Sequence, residues 1–219
     1  MPELYSSVRL KPKEDRRIKG GHLWIYSNEI DTTATPLKNF SPGQLVQIEN
    51  HQGEFLGIGY INPNTLLCAR LLSRNPKQII DTDFFIERLQ QALTLRQQIF
   101  TQPFYRLAFA ESDFIPGLIV DRYNDILVVQ MTTAGIEQLQ SEIIHALKSL
   151  INPKAILLRN DSGARKLEGL ENYVKFAFGD APDLIPLTEN HCQFMAPIIT
   201  GQKTGWWGPS AATAGAAAR

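Results

Sequence analysis

The chain has 219 residues, 43% of them hydrophobic and 20% charged, which excludes wholesale disorder and fits one or two folded domains. Lys plus Arg and Asp plus Glu each number 22, so the formal net charge is zero. A polyanion partner therefore has to be sought in local clustering, because the chain as a whole carries no such signal.

Val8-Arg9-Leu10 reads as a first short strand. Arg16 to Gly21 is a basic, glycine-ended approach to a short helix around His22 to Asn28. Ser41-Pro42-Gly43 is a turn signal, and Gln44 to Glu49 alternates as a strand. Asn50-His51-Gln52-Gly53 is a loop, and Glu54 to Tyr60 is the returning strand. Asn62-Pro63-Asn64 turns again before a last strand over Leu66 to Leu72. Short strands at this spacing suggest a small barrel.

Asn75-Pro76-Lys77 begins a linker. Asp83 is placed to cap a helix over Phe84 to Phe100, with Phe85, Leu89, Leu93 and Ile99 close to helical spacing. Strands follow over Tyr105 to Ala110, Leu118 to Arg122 and Ile126 to Met131, with turns at Ile115-Pro116-Gly117 and Tyr123-Asn124-Asp125. A helix opens at Thr133 or Gly135 and runs to about Ile151, with Ile136, Leu139, Ile143, Leu147 and Leu150 on one stripe. Asn152-Pro153 stops it. Ala155 to Arg159 is a strand, and Leu187 to Met195 looks like a final hairpin arm. The unit is α+β, in the order strand, strand, helix, strand, strand. From Trp206 onward Ala, Gly, Ser, Thr and Pro dominate without an apolar period, as in a low-complexity tail.

Between Arg9 and His22 stand six cations, Arg9, Lys11, Lys13, Arg16, Arg17 and Lys19, against Glu14 and Asp15, and Trp24 and Tyr26 follow. Cations neutralise phosphates and aromatics stack on unpaired bases, so this is a candidate RNA surface. The competing reading is a solvated turn with Trp24 in the core. Glu111, Asp113 and Asp121 could form an acid–base pair, but turn capping and pairing with a neighbour such as Arg122 weigh more. Arg159-Asn160-Asp161 with Arg165, Lys166 and Glu168 reads as a surface network of both signs. Gly201-Gln202-Lys203-Thr204-Gly205 lacks the glycine spacing and the helix of a phosphate-binding loop.

The histidines His22, His51, His145 and His191 are scattered and suggest no metal site. Cys68 and Cys192 lie far apart, with neither a disulfide framework nor a zinc-finger spacing, which points to a reducing compartment. Cys192 reads as a small buried residue. No apolar run reaches the ~18–20 residues of a membrane span. The start at Met1 has neither the basic nor the apolar region of a secretory leader. A cytoplasmic location with no membrane partner is expected.

Several of these stretches, in this order, resemble the cytosine-C5 methyltransferases of large-subunit ribosomal RNA. They are Val8-Arg9-Leu10 with Arg16-Arg17, Gly21-His22-Leu23-Trp24-Ile25-Tyr26-Ser27, and the run from Ala110 through Glu111-Ser112-Asp113 and Pro116-Gly117 to Tyr123. Arg159-Asn160-Asp161 with Arg165-Lys166-Leu167-Glu168-Gly169, then Glu189-Asn190 and Gly201 to Gly205, complete the set. The resemblance covers about residues 5–205. It implies a PUA domain, a small RNA-binding β-barrel, over 1–76, then a linker and helix over 77–100. A central α+β domain over 101–205 and a divergent tail over 206–219 would follow.

In that family a third, Rossmann-like domain binds S-adenosylmethionine and carries the catalytic cysteines, one of which attacks C6 of the cytosine so that C5 takes the methyl group. The family continues after Gly-Gln-Lys-Thr-Gly with two aromatics and a segment like Leu-Asp-Gln-Arg, whereas this chain has Trp206-Trp207-Gly208-Pro209-Ser210. The expectation is that the Rossmann-like domain is absent and the chain is truncated and inactive alone. No catalytic residue and no metal are then expected, and S-adenosylmethionine, the family's cofactor, is not expected to bind this chain alone.

The implied RNA-binding residues are Arg9, Arg16, Arg17, Lys19, His22 and Trp24, with large-subunit ribosomal RNA as the partner. Gln202 and Lys203 would be peripheral to the cofactor. Apolar surface left without its neighbour predicts self-association or a separate polypeptide that supplies the cofactor domain. A stand-alone RNA-binding or assembly module, or half of a split methyltransferase, are the alternatives.

Overall fold

A computed structural model describes residues 5–189 and 192–201, with the backbone only at 189 and 192. The chain builds two five-stranded sheets in succession. The first contains β1 (Ser6–Arg9), β2 (Trp24–Tyr26), β3 (Gln44–Glu49), β4 (Phe55–Ile61) and β5 (Leu67–Ser73), in the order β1-β3-β4-β5-β2. β1 runs parallel to β3, and the other pairs are antiparallel. The chain after β1 meets the chain after β2 through a bridge between Leu10 and Ile30. The amide of Lys11 donates to the Glu29 carbonyl and the amide of Asp31 to that of Arg9, both at 2.9 Å. The sheet thus curls so that its two edges meet around Val8, Leu10, Ile25, Ile48 and Leu71, all nearly inaccessible to solvent.

A short helix, α1 (Asp15–Lys19), sits between β1 and β2, with Ile18 as its buried anchor. This corrects the expected helix around His22 to Asn28, where Trp24-Ile25-Tyr26 pairs with β5 as a strand. Ile25 is fully buried there, and Gly21, at φ 102°, turns the chain out of the helix in a conformation that a side chain would oppose.

Helix α2 (Thr82–Ile99) links the two sheets and buries Phe84, Phe85, Leu89, Ala92 and Leu93. Its cap is Asp81, whose carboxylate accepts from the Phe84 amide at 3.0 Å; Asp83, the expected cap, lies in the first turn. The second sheet holds β6 (Phe104–Phe109), β7 (Leu118–Tyr123), β8 (Ile126–Met131), β9 (Ala155–Asn160) and β10 (Tyr173–Phe178), in the order β10-β9-β8-β7-β6. Helices α3 (Ala134–Gln138) and α4 (Gln140–Ile151) connect β8 to β9, and α5 (Gly163–Leu167) precedes β10. A hairpin of β11 (Leu184–Glu189) and β12 (Cys192–Pro197) ends the described chain's regular structure.

The fold class expected from the sequence is corrected here. The expectation was an α+β unit of strand, strand, helix, strand, strand, with nothing Rossmann-like. The second sheet is instead mixed: β8 and β9 run parallel on either side of a helical crossover, in a Rossmann-like arrangement, and every other pair is antiparallel. Parallel neighbours need such a crossover, because a tight turn cannot return the chain in the same direction. Alternation along the central strands shows two covered faces. Leu127, Val129, Ile156 and Leu158 join the core under α2 and α4, while Val128 and Leu157 pack with Ile185, Leu187 and Ala196 of the hairpin.

Three strands precede the crossover, and α5, β10 and the first hairpin arm extend the unit beyond the expected pattern. β10 is an edge strand with Val174 and Phe178 exposed, so its Tyr-Val-Lys-Phe-Ala-Phe sequence carries no polar–apolar alternation to mark it.

Candidate nucleic-acid interface

The basic stretch lies on the first sheet's outer surface, but folding neutralises half of it. Asp15 and Lys19 pair across one turn of α1 at 2.5 Å, and the bond from Lys19 holds the Asp15 carboxyl below its usual value. Arg17 meets Glu29 at 2.8 Å, and its guanidinium stacks 5.3 Å from the centre of the Tyr26 ring. Glu29 is buried and also accepts from the Tyr26 amide at 2.6 Å. Arg9 reaches Glu49 at 3.3 Å, a carboxylate already bonded by Ser7 Oγ and Gln47 Nε2.

Lys11 donates to the Asn28 carbonyl at 2.8 Å. Lys13 and Arg16 are exposed and pair with no carboxylate among the described residues. His22 is exposed, and Arg74 donates to its carbonyl at 3.2 Å. Trp24 is not a core residue: it is 37% exposed, and its indole Nε1 donates to Glu111 at 2.9 Å. The six expected residues therefore divide. Arg16, His22 and Trp24 present groups to solvent, while Arg9, Arg17 and Lys19 are tied to carboxylates. Arg74 was not anticipated; it lies beside His22 only because β5 pairs with β2.

The acidic trio forms no acid–base pair. Asp113 is held by the Arg96 guanidinium at 2.5 and 2.7 Å and by the Phe109 amide at 2.6 Å. Asp121 receives the Arg106 guanidinium at 2.8 and 3.0 Å. Glu111 takes the Trp24 indole. Carboxylates so engaged serve structure, and the partners are Arg96 and Arg106, while Arg122 donates to Tyr105 and to the Asn124 carbonyl.

The stretch from Arg159 to Glu168 departs in part from its expected surface role: Arg159, Asn160, Arg165 and Glu168 are buried, while Asp161, Lys166 and Leu167 stay exposed. Arg165 is 1% exposed and donates to the Met131 and Glu171 carbonyls and to Glu137 at 2.8 Å. Glu137 also accepts from the Tyr173 hydroxyl at 2.6 Å, and burial followed by that bond pushes the phenol up to about 12. Glu168 crosses to the first sheet. It pairs with Arg70 at 2.8 Å and accepts from Asn62 Nδ2 at 2.8 Å and from the Ala134 amide at 3.3 Å.

Tyr60 completes the junction. Its hydroxyl donates to the Pro116 carbonyl at 2.9 Å and meets Thr133 Oγ1 at the same distance, while burial drives its pKa far above the ordinary phenol value. Arg159 is nearly inaccessible and donates to the Ile198 carbonyl at 3.0 Å and to that of Gly201. Gln202 and Lys203, His191 and the tail from Trp206 lie outside the described residues. Among the described residues no cluster of His, Cys, Asp and Glu could hold a metal, and no helix is long and apolar enough to cross a membrane.

Residues 8–74 match the PUA-like domain family. The chain is 33% identical over 206 residues to ribosomal RNA large subunit methyltransferase I of Pseudoalteromonas translucida, an alignment covering 92% of this chain and 51% of the relative. It is 35% identical over 190 residues to the protein of the same name from Erwinia tasmaniensis, covering 85% and 47%. The chain thus spans about half the length of the curated relatives it matches. In structure it is similar to a chain assigned as a SAM-dependent methyltransferase from Streptococcus mutans, with a TM-score of 0.75 and 19% identity, over 92% of this chain and 51% of that one. A methyltransferase in complex with SAH gives 0.74, also at 19%, over 92% and 50%. The mixed-sheet arrangement is therefore one found within methyltransferase chains, which bears out the correction of the fold class. The chain carries a PUA-like domain over residues 8–74, and 85–92% of it is similar to about half the length of the proteins named ribosomal RNA large subunit methyltransferase I.

Proposed function

We propose that this chain recognises large-subunit ribosomal RNA for a SAM-dependent methyltransferase that modifies C5 of a cytosine, in the cytoplasm. The observation that carries the reading is the similarity at 33–35% identity along both sheets, with a PUA-like unit at one end. The motif resemblance taken together, from Val8 to Gly205, supports the choice of cytosine C5. Arg16, His22 and Trp24 would contact RNA directly. Arg9, Arg17 and Lys19 would shape the surface and add long-range attraction, since paired cations still contribute to the local potential. The proposed domain limits are 1–76, 77–100, 101–205 and 206–219.

The cavity between the segment 41–45 and Gln138-Leu139 does not fit S-adenosylmethionine. It is shallow, about 360 Å³, and is lined by Ser41, Gly43, Gln44, Leu45, Gln138 and Leu139, with no carboxylate for a ribose diol and no aromatic or deep apolar slot for an adenine. The chain's own part is binding and orientation. The junction at Tyr60, Arg70 and Glu168 supports that part, because it fixes the PUA-like surface relative to the second sheet. A target held by one unit is thereby positioned by both.

Two measurements test this reading. Transcripts of large-subunit ribosomal RNA should bind more tightly than small-subunit transcripts of equal length across a salt series; equal affinity would remove the ribosomal target. Mapping ribosomal RNA from cells lacking the gene should show the loss of one 5-methylcytosine. Loss of a different modified base, or of none, would remove the cytosine reading.

A further inference from the structure

Phe109 and Phe114 bracket the turn at Ala110–Asp113, and they are 47% and 53% exposed. Large aromatics half open to water, at both ends of one short turn, are not the expected product of burial. The backbone works to hold them there. Ala110 at φ 44° and Phe114 at φ 58° both occupy the left-handed region, which disfavours side chains of their kind. At Phe114 that conformation sends Ile115 into the core while the Phe114 ring stays outside. Asp113 fixes the arrangement, since its carboxylate is gripped by Arg96 and in turn accepts from the Phe109 amide.

Two further contacts give the turn its chemistry. Trp24, from the PUA-like sheet, is tied to Glu111 within the turn, so an exposed indole of the first sheet is anchored to the segment that carries the two phenyl rings. The Arg88 guanidinium lies 5.6 Å from the Phe114 ring centre, and that of Arg106 lies 5.1 Å from the Phe109 ring centre. The nearby negative charges are engaged: Asp113 by Arg96, Asp121 by Arg106 and Glu111 by the indole. Exposed rings backed by guanidinium groups complement a flat base attached to a phosphate.

We propose that this turn is a stacking platform for an unpaired RNA base, with Phe114 and Phe109 as the stacking rings and Trp24 joining them to the basic surface. The inference rests on the RNA-recognition reading above and adds a second contact point, on the second sheet's unit. Each stacked base on such platforms is sequence-tolerant and insensitive to salt, whereas phosphate contacts are salt-sensitive. That difference separates the two readings.

The test uses the full chain and a single-stranded RNA oligonucleotide carrying 2-aminopurine, read by fluorescence quenching and by anisotropy between 50 and 200 mM salt. The wild type should quench the probe. Phe114→Asn suits a left-handed backbone and should fold at least as well as the wild type. Combined with Phe109→Ser it should weaken binding by roughly 5- to 100-fold, the usual worth of a stacked base, abolish quenching and leave the salt slope unchanged. Phe114→Trp should retain quenching.

If the double variant binds and quenches like the wild type, the platform is overturned while RNA recognition stands. If the wild type binds no RNA, both readings fall. If the double substitution abolishes self-association in sedimentation and leaves RNA affinity untouched, the rings serve a copy-to-copy contact and the platform is overturned.

Discussion

Glu168, on the last turn before β10, places a carboxylate oxygen 2.8 Å from the guanidinium of Arg70 on β5, with the two side chains only 5% and 10% exposed. The pair spans 98 positions of sequence and joins the two sheets. Its remaining oxygen is satisfied by Asn62 and by the Ala134 amide, so the charge is paired and also hydrogen-bonded. Breaking such a pair leaves one charge buried and uncompensated. Glu168→Gln should therefore cost about 3–5 kcal/mol, and Arg70→Met with Glu168→Gln should recover a large part of it, because the double change removes both charges. Urea denaturation of the three proteins checks this. An equal loss in the single and double variants would mean that shape, and not charge, holds the junction.

A second prediction concerns the closest approach at the same junction. Gly135 opens the crossover after β8, and a methyl group there would overlap the ring of Tyr60, whose hydroxyl is fixed at its far end by Pro116 and Thr133. Helix propensity alone would favour Gly135→Ala by about 1 kcal/mol. Overpacking against a ring that cannot retreat costs about 1–3 kcal/mol and should win. The melting temperature should fall for Gly135→Ala, and the same change should be nearly neutral, or favourable, in a Tyr60→Ala background.

The basic stretch offers a contrast between neighbours. Arg16→Ala removes an exposed charge with no carboxylate partner. It should leave the melting temperature unchanged, weaken RNA binding, and lower the salt slope by about one. Arg17→Ala strips Glu29 of its partner. Since Arg17 is 40% exposed and Glu29 9%, solvent screens part of the pair, and the loss should be about 1–2 kcal/mol of stability. Thermal melts and binding isotherms on the two variants should thus move in opposite columns. If both affect binding alone, the Glu29 pair contributes nothing to the fold.

These contrasts show where the sequence was legible. The near-alternation at Gln44 to Glu49 and the apolar run Ile126 to Val129 mark strands because Val46, Ile48, Leu127, Val128 and Val129 are buried there. The direction of β9 beside β8 was not legible, since antiparallel and parallel strands share the same composition. Only the crossover helices decide it. The charges at Arg159, Arg165 and Glu168 misled for a physical reason. A charged residue is usually solvated, and nothing local reveals that a carboxylate or carbonyl 6 to 98 positions away will satisfy it. Likewise, Glu29 and Glu49 neutralise Arg17 and Arg9 only after the sheet has brought them together. At the turn after β6 the sequence displayed its carboxylates, whereas the exposure of Phe109 and Phe114 depends on left-handed backbone at Ala110 and Phe114 that no local pattern reveals.

Cys68 lies on β5, fully buried, and burial pushes its thiol up to about 11, with Arg70 offsetting part of the shift. At pH 8 it should be almost wholly protonated and screened from reagents. In a Cys192→Ser background, alkylation by iodoacetamide should be negligible for the native protein and rapid in denaturant. Fast modification without unfolding would contradict the burial of β5.

Asp183 closes the hairpin and predicts an acid limit. Its carboxylate accepts from the Thr200 hydroxyl at 2.5 Å and from the amides of Ile199 and Thr200 at 2.6 and 3.0 Å. The Thr200 hydroxyl bond first, and then the amides, hold its pKa below the ordinary 3.8. A carboxyl whose pKa is lower when folded binds protons more readily when unfolded. Its stabilising contribution is therefore complete above the unfolded value and is lost as the pH falls through the folded one. The wild type should exceed Asp183→Asn in stability by a constant margin from neutral pH down to about 4, and the margin should shrink below that. Denaturation midpoints of the two proteins at pH 7, 5, 4 and 3 give the comparison. A margin that persists unchanged at pH 3 would mean that the hydrogen bonds to residues 199 and 200 do not depend on the ionised carboxylate.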